Sequence, residues 1–119
     1  MHETLATILP LAKVGEAILS LLALDPGMSL QAASALILIA KNQPADAPMT
    51  TAELAKLLKL SPTATSRMVY YLGEGIPANS IKGLGLVELK IDPADRRRRS
   101  VHLTKSGRKT IDSILKTIS

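Results

Sequence analysis

The sequence contains no cysteine and very few aromatic residues. Of its 119 residues none is Cys, Phe or Trp, and only two, Tyr70 and Tyr71, are Tyr. Without cysteine the chain has no disulfide framework, no zinc finger, no thiolate nucleophile and no thiol redox sensor. Its core has to be built from Leu, Ile, Val, Ala and Met, which suits packed helices better than a β-sandwich. The composition therefore favours a mainly α-helical fold.

Long uncharged runs and targeting signals are also missing. The longest stretch without a charged side chain, residues 26–40, is too short and too polar to span a bilayer, and Glu3 interrupts the basic start that a signal peptide needs. We therefore expect a cytoplasmic protein with no membrane partner. A chain of this length with 46% apolar residues is sized for one compact domain, residues 1–119.

The residue patterns of enzymes are absent as well. His2 and His102 are far apart in the sequence, and neither has a partner at metal-ligand spacing. Gly73 and Gly75 lack the third glycine, the preceding strand and the following helix of a phosphate-binding loop. We expect no enzymatic activity, no catalytic residue, no cofactor and no metal.

Positive charge is concentrated in the second half of the chain. Residues 1–60 carry four Lys and five acidic residues, whereas residues 61–119 carry eleven Lys or Arg and five acidic residues. Clustered Lys and Arg favour nucleic acid, because they release counterions from its phosphate backbone. An anionic membrane surface or a merely well-solvated surface explains the charge alone equally well.

The amino-terminal segment is apolar on nearly every face of a helix over residues 5–24. Such a helix needs cover on more than one side, and a single domain of this size provides one side. We therefore predict that residues 1–24 form a dimerisation helix, the alternative being a central helix wrapped by its own chain. Pro10 either kinks this helix or lies near its first turn.

Residues 50–73 carry the pattern of a helix-turn-helix. Thr50 and Glu53 have the spacing of a capping box, which opens a short helix. Ser61 and Pro62 then have the character of an N-cap and a first helical residue, so a second helix follows at once. Two short helices joined by a tight turn are typical of DNA-binding proteins.

The second of these helices has two different faces. Thr65, Met68, Val69 and Leu72 follow the spacing of a buried face. The opposite face offers hydroxyl, guanidinium and phenol groups without any acid, all able to bond base edges or phosphates in a major groove. These residues are Thr63, Ser66, Arg67 and Tyr70, with Tyr70 expected to be exposed. Arg67 is the best candidate for a guanine contact, although the same residues also suit a simply solvated helix.

Residues 86–103 predict a two- or three-stranded wing, and residues 104–118 a final amphipathic helix. The hairpin turn carries Arg96, Arg97, Arg98 and Arg99, which cannot be core residues. Beside a helix-turn-helix such a cluster favours a clamp on a narrow minor groove and its phosphates over a solvated tip. We expect Asp95 to orient one of these arginines through an ion pair.

Over residues 50–111 the sequence resembles the MarR family of winged helix-turn-helix transcription regulators. The strongest matches are DPADRR at 92–97 and VHLTKSG at 101–107, followed by LSP at 60–62, SR at 66–67 and GLV at 85–87. The resemblance implies about five helices plus the wing, in a bacterial or phage homodimer bound to near-palindromic double-stranded DNA. By this resemblance Thr63, Ser66 and Arg67 read bases or phosphates, and Arg96 or Arg97 enters the minor groove. Together with the residue patterns this gives a predicted DNA-binding set of Ser61, Pro62, Thr63, Ser66, Arg67, Tyr70, Arg96, Arg97, Arg98 and Arg99.

The chain departs from the family pattern in three places. Residues 73–84 form an insertion that either shifts the wing or contacts DNA or a partner through Lys82. The chain stops soon after Ile118, so the long C-terminal dimerisation helix is short and dimerisation depends mainly on the amino-terminal helix. Full-size members bind small phenolic ligands near the dimer interface, but the shortness of this chain and its few aromatics make such an effector doubtful.

Two other functions remain open from the sequence. One is a winged-helix module for protein contacts in a larger assembly, which needs no arginine cluster at its wing. The other is sequence-independent binding of nucleic acid, although stacking on bases requires aromatic residues that are scarce here.

Overall fold

The computed structural model describes residues 5–42 and 48–119, which form helices, a wing and a smaller hairpin. Residues 1–4, the start of the predicted dimerisation segment and the place of Glu3, lie outside this description. The helices are α1 (Leu5–Leu24), α2 (Leu30–Lys41), α3 (Thr51–Leu58), α4 (Pro62–Leu72) and α5 (Lys105–Ile118). The strands are β1 (Gly75–Ile76), β2 (Ile81–Lys82), β3 (Val87–Ile91) and β4 (Arg99–Leu103), with a 3-10 turn over Pro77–Asn79.

The helix starts lie where side-chain caps predict them. The Thr50 hydroxyl accepts the Glu53 amide at 3.1 Å, and the Glu53 carboxylate accepts the Thr50 amide at 3.2 Å, so the capping box is complete. Ser61 caps α4 by accepting the Ala64 amide at 3.1 Å, with Pro62 as the first helical residue. These caps satisfy amides that a helix start otherwise leaves unpaired.

The core is centred on α2 and the inner face of α4. Ala35, Leu36 and Ile39 of α2 are fully buried. All the residues assigned from their spacing to the inner face of α4 are buried: Thr65, Met68, Val69 and Leu72. The core contains aliphatic and Met side chains, as the composition requires.

The wing is an antiparallel hairpin with a short third element. Strands β3 and β4 pair from Val87 opposite Leu103 to Ile91 opposite Arg99. On the other edge of β4 the Val101 amide donates to the Met49 carbonyl at 2.8 Å, and Thr50 bridges to Ser100. The segment before α3 is thereby fixed to the wing, which confirms the predicted winged helix-turn-helix.

Residues 73–84 are ordered as a small hairpin made of β1, the 3-10 turn and β2. Gly83 lies so close to the end of α4 that an added Cβ would stand 2.1 Å from the Gly73 carbonyl oxygen. After this hairpin the chain lies again beside the end of α4. The Leu84 amide donates to Tyr71 O at 2.9 Å, and the Leu86 amide donates to Leu72 O at 2.8 Å. The wing is therefore bonded directly to the end of α4 despite the insertion.

Helix α1 packs against α5 and leaves much of its apolar surface uncovered. Pro10 lies within α1 near its amino-terminal end. Leu21 of α1 is buried, whereas Leu11 and Leu19 are 69% and 66% exposed. Ile8, Leu9, Val14, Ile18, Leu22 and Leu24 are exposed as well. In the part of the chain that the structure describes, no helix combines the length and the apolar character needed to cross a membrane.

Candidate nucleic-acid interface

The outer face of α4 presents three polar side chains to solvent. Thr63, Ser66 and Arg67 are exposed, and we call this set the polar face. The same helix buries its opposite side in the core, so the polar face is held on a fixed support. The Ser61 hydroxyl is engaged as the N-cap, which makes Ser61 and Pro62 the residues that begin the helix beneath the polar face.

The prediction that Tyr70 is exposed beside this face is wrong. The residue is half-buried instead of exposed. It lines a groove of about 150 Å³ between the end of α4 and strand β3, together with Gly73, Val87 and Leu89. The wing returns to this end of the helix and flanks Tyr70, whereas the polar face stays open.

The wing tip carries the arginine cluster on its outside. Arg96, Arg97 and Arg98 lie in the turn and Arg99 is the first residue of β4, and all four are exposed. The turn is closed by backbone bonds, with the Asp92 amide donating to Arg98 O at 2.9 Å. Four guanidinium groups on a closed turn form a strong positive potential at one edge of the molecule.

The predicted ion pair at the wing tip is present. Arg97 Nε lies 3.5 Å from Asp95 Oδ1, and the same oxygen accepts the Arg97 backbone amide at 3.0 Å. The Arg97 side chain is nevertheless 94% exposed, so the pair leaves the arginine in water. A hydrated guanidinium is free to approach a phosphate.

The tip also lies beside the start of α3. Arg97, Arg98 and Arg99 line one side of an open cleft of about 570 Å³, and Thr51 and Glu53 line the other. Glu53 is engaged in the capping box, so its carboxylate already accepts the Thr50 amide. The cleft thus places the basic edge of the wing next to the helix-turn-helix.

His102 lies in the wing and bonds to its neighbour on the same strand face. Its Nε2 is 2.8 Å from the Ser100 hydroxyl. Partial burial lowers the pKa of His102, and the charge of Lys90 on β3 lowers it further against the opposing effect of Glu88. Among residues 5–42 and 48–119, no group of three or more His, Asp or Glu side chains has a metal-binding arrangement.

A hydrogen bond between the turn that joins α1 to α2 and helix α4 was not predicted from the sequence. The Tyr71 hydroxyl donates to Asp25 Oδ2, across 46 positions of sequence. This bond lowers the pKa of Asp25, with a smaller effect from the Gly27 amide that donates to the same carboxylate. Burial first, and then the bond and charge of Asp25, raise the pKa of Tyr71 well above its usual range. Nothing in either residue's neighbourhood in sequence signals this pairing.

Several solved transcription regulators share this fold. The S. aureus MepR–DNA complex matches with a TM-score of 0.67 at 20% identity, over 96% of this chain and 81% of that chain. The transcriptional regulator Tm0710 from Thermotoga maritima matches with a TM-score of 0.66 at 24% identity, over 96% and 69%. MarR matches with a TM-score of 0.60 at 22% identity, over 94% and 71%.

The likeness is one of structure and not of overall sequence. No protein-family model matches the sequence, and neither does any curated protein. The matches nevertheless cover almost the whole chain and include α1 as well as the helix-turn-helix and the wing. The resemblance inferred from the wing motif is confirmed at this level: the chain has the winged-helix fold of the MarR-family regulators.

Proposed function

We propose that the chain is a homodimeric transcription regulator that binds double-stranded DNA in a sequence-specific way. The observation that carries this proposal is the polar face of α4, which contains hydroxyls and a guanidinium and no acid over Pro62–Leu72. In this account α4 enters the major groove, where Arg67 contacts a guanine and Thr63 and Ser66 contact bases or phosphates. The S. aureus MepR neighbour is a DNA complex, which supports the assignment.

The wing is proposed to bind the adjacent minor groove. Exposed arginines are attracted to the negative potential of a narrow minor groove, and the wing tip presents Arg96 to Arg99. One of them, Arg97, pairs with Asp95 and stays exposed to solvent. The remaining arginines are proposed to contact phosphates, which adds affinity without sequence preference.

The second subunit is proposed to cover the apolar surface of α1. Leu11, Leu19 and their exposed neighbours form an apolar surface that a stable soluble monomer rarely presents. A second copy of the same helix matches this surface by symmetry, since a two-fold interface brings the same patch together twice. Dimerisation also brings two copies of α4 to one duplex, which a near-palindromic site requires.

A protein-docking winged helix is the second candidate. It is favoured by the same exposed leucines of α1, because another protein is as able to bury them as a second copy. It gives no role to the exposed Arg96 to Arg99. The two candidates therefore differ in whether the wing and the polar face bind DNA at all.

Selection of bound sequences from random DNA duplexes, repeated at two salt concentrations, tests the proposal. We expect a symmetric motif with two half-sites about one helical turn apart, and an affinity that falls steeply as salt increases. Affinity without sequence preference contradicts sequence-specific regulation and leaves a general nucleic-acid binder. No affinity at either salt concentration contradicts DNA binding and favours the docking module.

A further inference from the structure

Tyr71 joins three parts of the molecule at the end of α4. Its side chain bonds to Asp25, which begins the turn between α1 and α2. Its backbone carbonyl accepts the Leu84 amide at 2.9 Å, at the start of the segment that leads into the wing. The end of α4, the corner of α1 and the base of the wing therefore meet at a single residue.

The acceptor of this bond is itself held in place. Asp25 Oδ1 accepts the Gly27 amide at 3.0 Å, so the carboxylate closes the turn with one oxygen and binds Tyr71 with the other. The Asp25 amide donates to Leu21 O at 3.4 Å, which fixes the residue to the last turn of α1. The carboxylate that binds Tyr71 is therefore fixed to the end of α1.

Tyr71 lies next to residues that are proposed to contact the DNA. Tyr70 precedes it on α4, and Arg67 is one helical turn before Tyr71. Backbone groups also support this end of α4: besides the Leu84 amide on Tyr71 O, Leu86 N donates to Leu72 O and Gly85 N donates to Gly73 O at 2.8 Å each. Those bonds join α4 to the wing, whereas the Tyr71 bond joins α4 to the α1–α2 corner.

We propose that the Asp25–Tyr71 hydrogen bond fixes the orientation of α4 relative to α1 and so sets the spacing at which two copies of α4 bind DNA. Tyr71 is a positioning residue in this account, since its hydroxyl is engaged with Asp25. The second clause depends on the proposed function, because α1 must form the dimer contact and α4 must read the duplex. A change of one base pair turns the second half-site by about 35° and moves it by about 3.4 Å, so a fixed helix orientation allows one spacing.

The orientation itself is measured without DNA. Because the chain has no cysteine, Lys13→Cys on α1 and Ser66→Cys on α4 give two unique spin-label sites in the otherwise full-length protein. Labelled chain is diluted into an excess of unlabelled chain, so that electron-spin distance measurements report only pairs within one chain. We expect Tyr71→Phe to shift or broaden the distance distribution by about 2 Å or more.

Two further variants separate positioning from loss of stability. Ile39→Val removes one buried methyl group from α2 and leaves both partners of the bond unsubstituted, so it should leave the distribution as in the unsubstituted chain. Asp25→Asn keeps one oxygen to accept the Gly27 amide, and its NH2 replaces the other oxygen and can donate to the Tyr71 hydroxyl, so the variant should keep most of the narrow distribution. An unchanged distribution in Tyr71→Phe, or an equal change in Ile39→Val, overturns the proposal.

The spacing is measured on the best duplex selected from the random pool. Its half-site separation is increased and decreased by one base pair, and dissociation constants are compared between the unsubstituted chain and Tyr71→Phe. We expect the affinity penalty for wrong spacing to be at least about threefold smaller in Tyr71→Phe. An equal penalty overturns the spacing clause even if the distances within the chain change. If the unsubstituted chain selects no motif, the proposed function fails. The distances between the two spin labels then decide alone whether the Asp25–Tyr71 bond fixes the orientation of α4.

Discussion

Helices α1 and α4 both contain many apolar residues, but they distribute them differently. In α4 the apolar side is buried and the exposed side is polar, so the helix is complete within its own domain. In α1 the exposed residues include leucines such as Leu11 and Leu19, so the rest of the chain covers only part of the apolar surface of this helix. The comparison indicates two different partners: water or a polyanion beside α4, and another apolar protein surface beside α1.

Breaking the apolar surface of α1 should have the largest effect. We expect Leu11→Glu, like Leu19→Glu, to place a carboxylate in the dimer interface and to give a monomer of unchanged fold, because both positions are exposed within the chain. DNA affinity should fall by about 100-fold or more, since one half-site then binds without the other. Sedimentation equilibrium and DNA titration measure the two effects.

Lys13→Glu is the control for charge on the same helix. Lys13 is exposed and already charged, and its substitution changes the net charge by more than Leu11→Glu does. A dimer in Lys13→Glu beside a monomer in Leu11→Glu supports an apolar interface. A chain that stays dimeric in both leucine variants rules out α1 as the dimerisation helix.

The polar face of α4 should give the next largest effect. Arg67→Ala removes the proposed guanine contact, so it should cost about 1–3 kcal/mol of binding free energy and relax specificity at one base pair of each half-site. Arg108→Ala removes an equal charge from the exposed side of α5 and serves as the control. Equal weakening of selected and unrelated duplexes by Arg67→Ala would refute its assignment to a base.

The wing tip should give a smaller effect of a different kind. Arg97→Ala should lower affinity on all duplexes by a similar factor and reduce the slope of log affinity against log salt by about one, because one phosphate contact is lost. Lys116→Ala, near the end of α5, is the matched control for loss of an exposed charge. An unchanged salt slope for Arg97→Ala indicates that this arginine is only solvated.

The pH dependence of the Asp25–Tyr71 bond should be the smallest effect. The folded pKa of Asp25 is lowered, so its contribution to stability is complete above the ordinary carboxyl pKa of 3.8 and is lost as pH falls further. The folded pKa of Tyr71 is raised, so its contribution is complete below the ordinary phenol pKa of 10.0 and is lost as pH rises further. Denaturant unfolding should show the stability difference between the unsubstituted chain and Tyr71→Phe narrowing outside this window. Burial of Tyr71 alone also gives the narrowing at alkaline pH, so a constant difference below pH 3.8 is the result that contradicts the bond.

Local signals in the sequence predicted most of the fold. The capping box of Thr50 and Glu53 and the Ser61–Pro62 start depend on residues within four positions, and each appears as expected. The buried face of α4 was likewise set by helical spacing alone. The amino-terminal helix was predicted over the same residues that α1 occupies.

Contacts between distant segments were not predictable in this way. The hairpin of β1 and β2 has strands of two residues, too short for a periodic signal, and depends on the close approach of Gly83 to Gly73. The spacing along α4 predicts an exposed Tyr70, but the residue is half-buried and lines a groove with Val87 and Leu89 of β3, which no local pattern signals. The Asp25–Tyr71 bond spans 46 positions and follows from the tertiary fold alone.

The most direct test of paired recognition is to repeat the selection from random duplexes with Arg67→Ala. In the proposed two-fold symmetric complex, one Arg67 contacts a base in each half-site. It predicts that base preference disappears at two positions related by the symmetry of the motif, while the other positions keep theirs. Loss of preference at a single position, or a uniform weakening with the motif intact, contradicts recognition by two copies of α4.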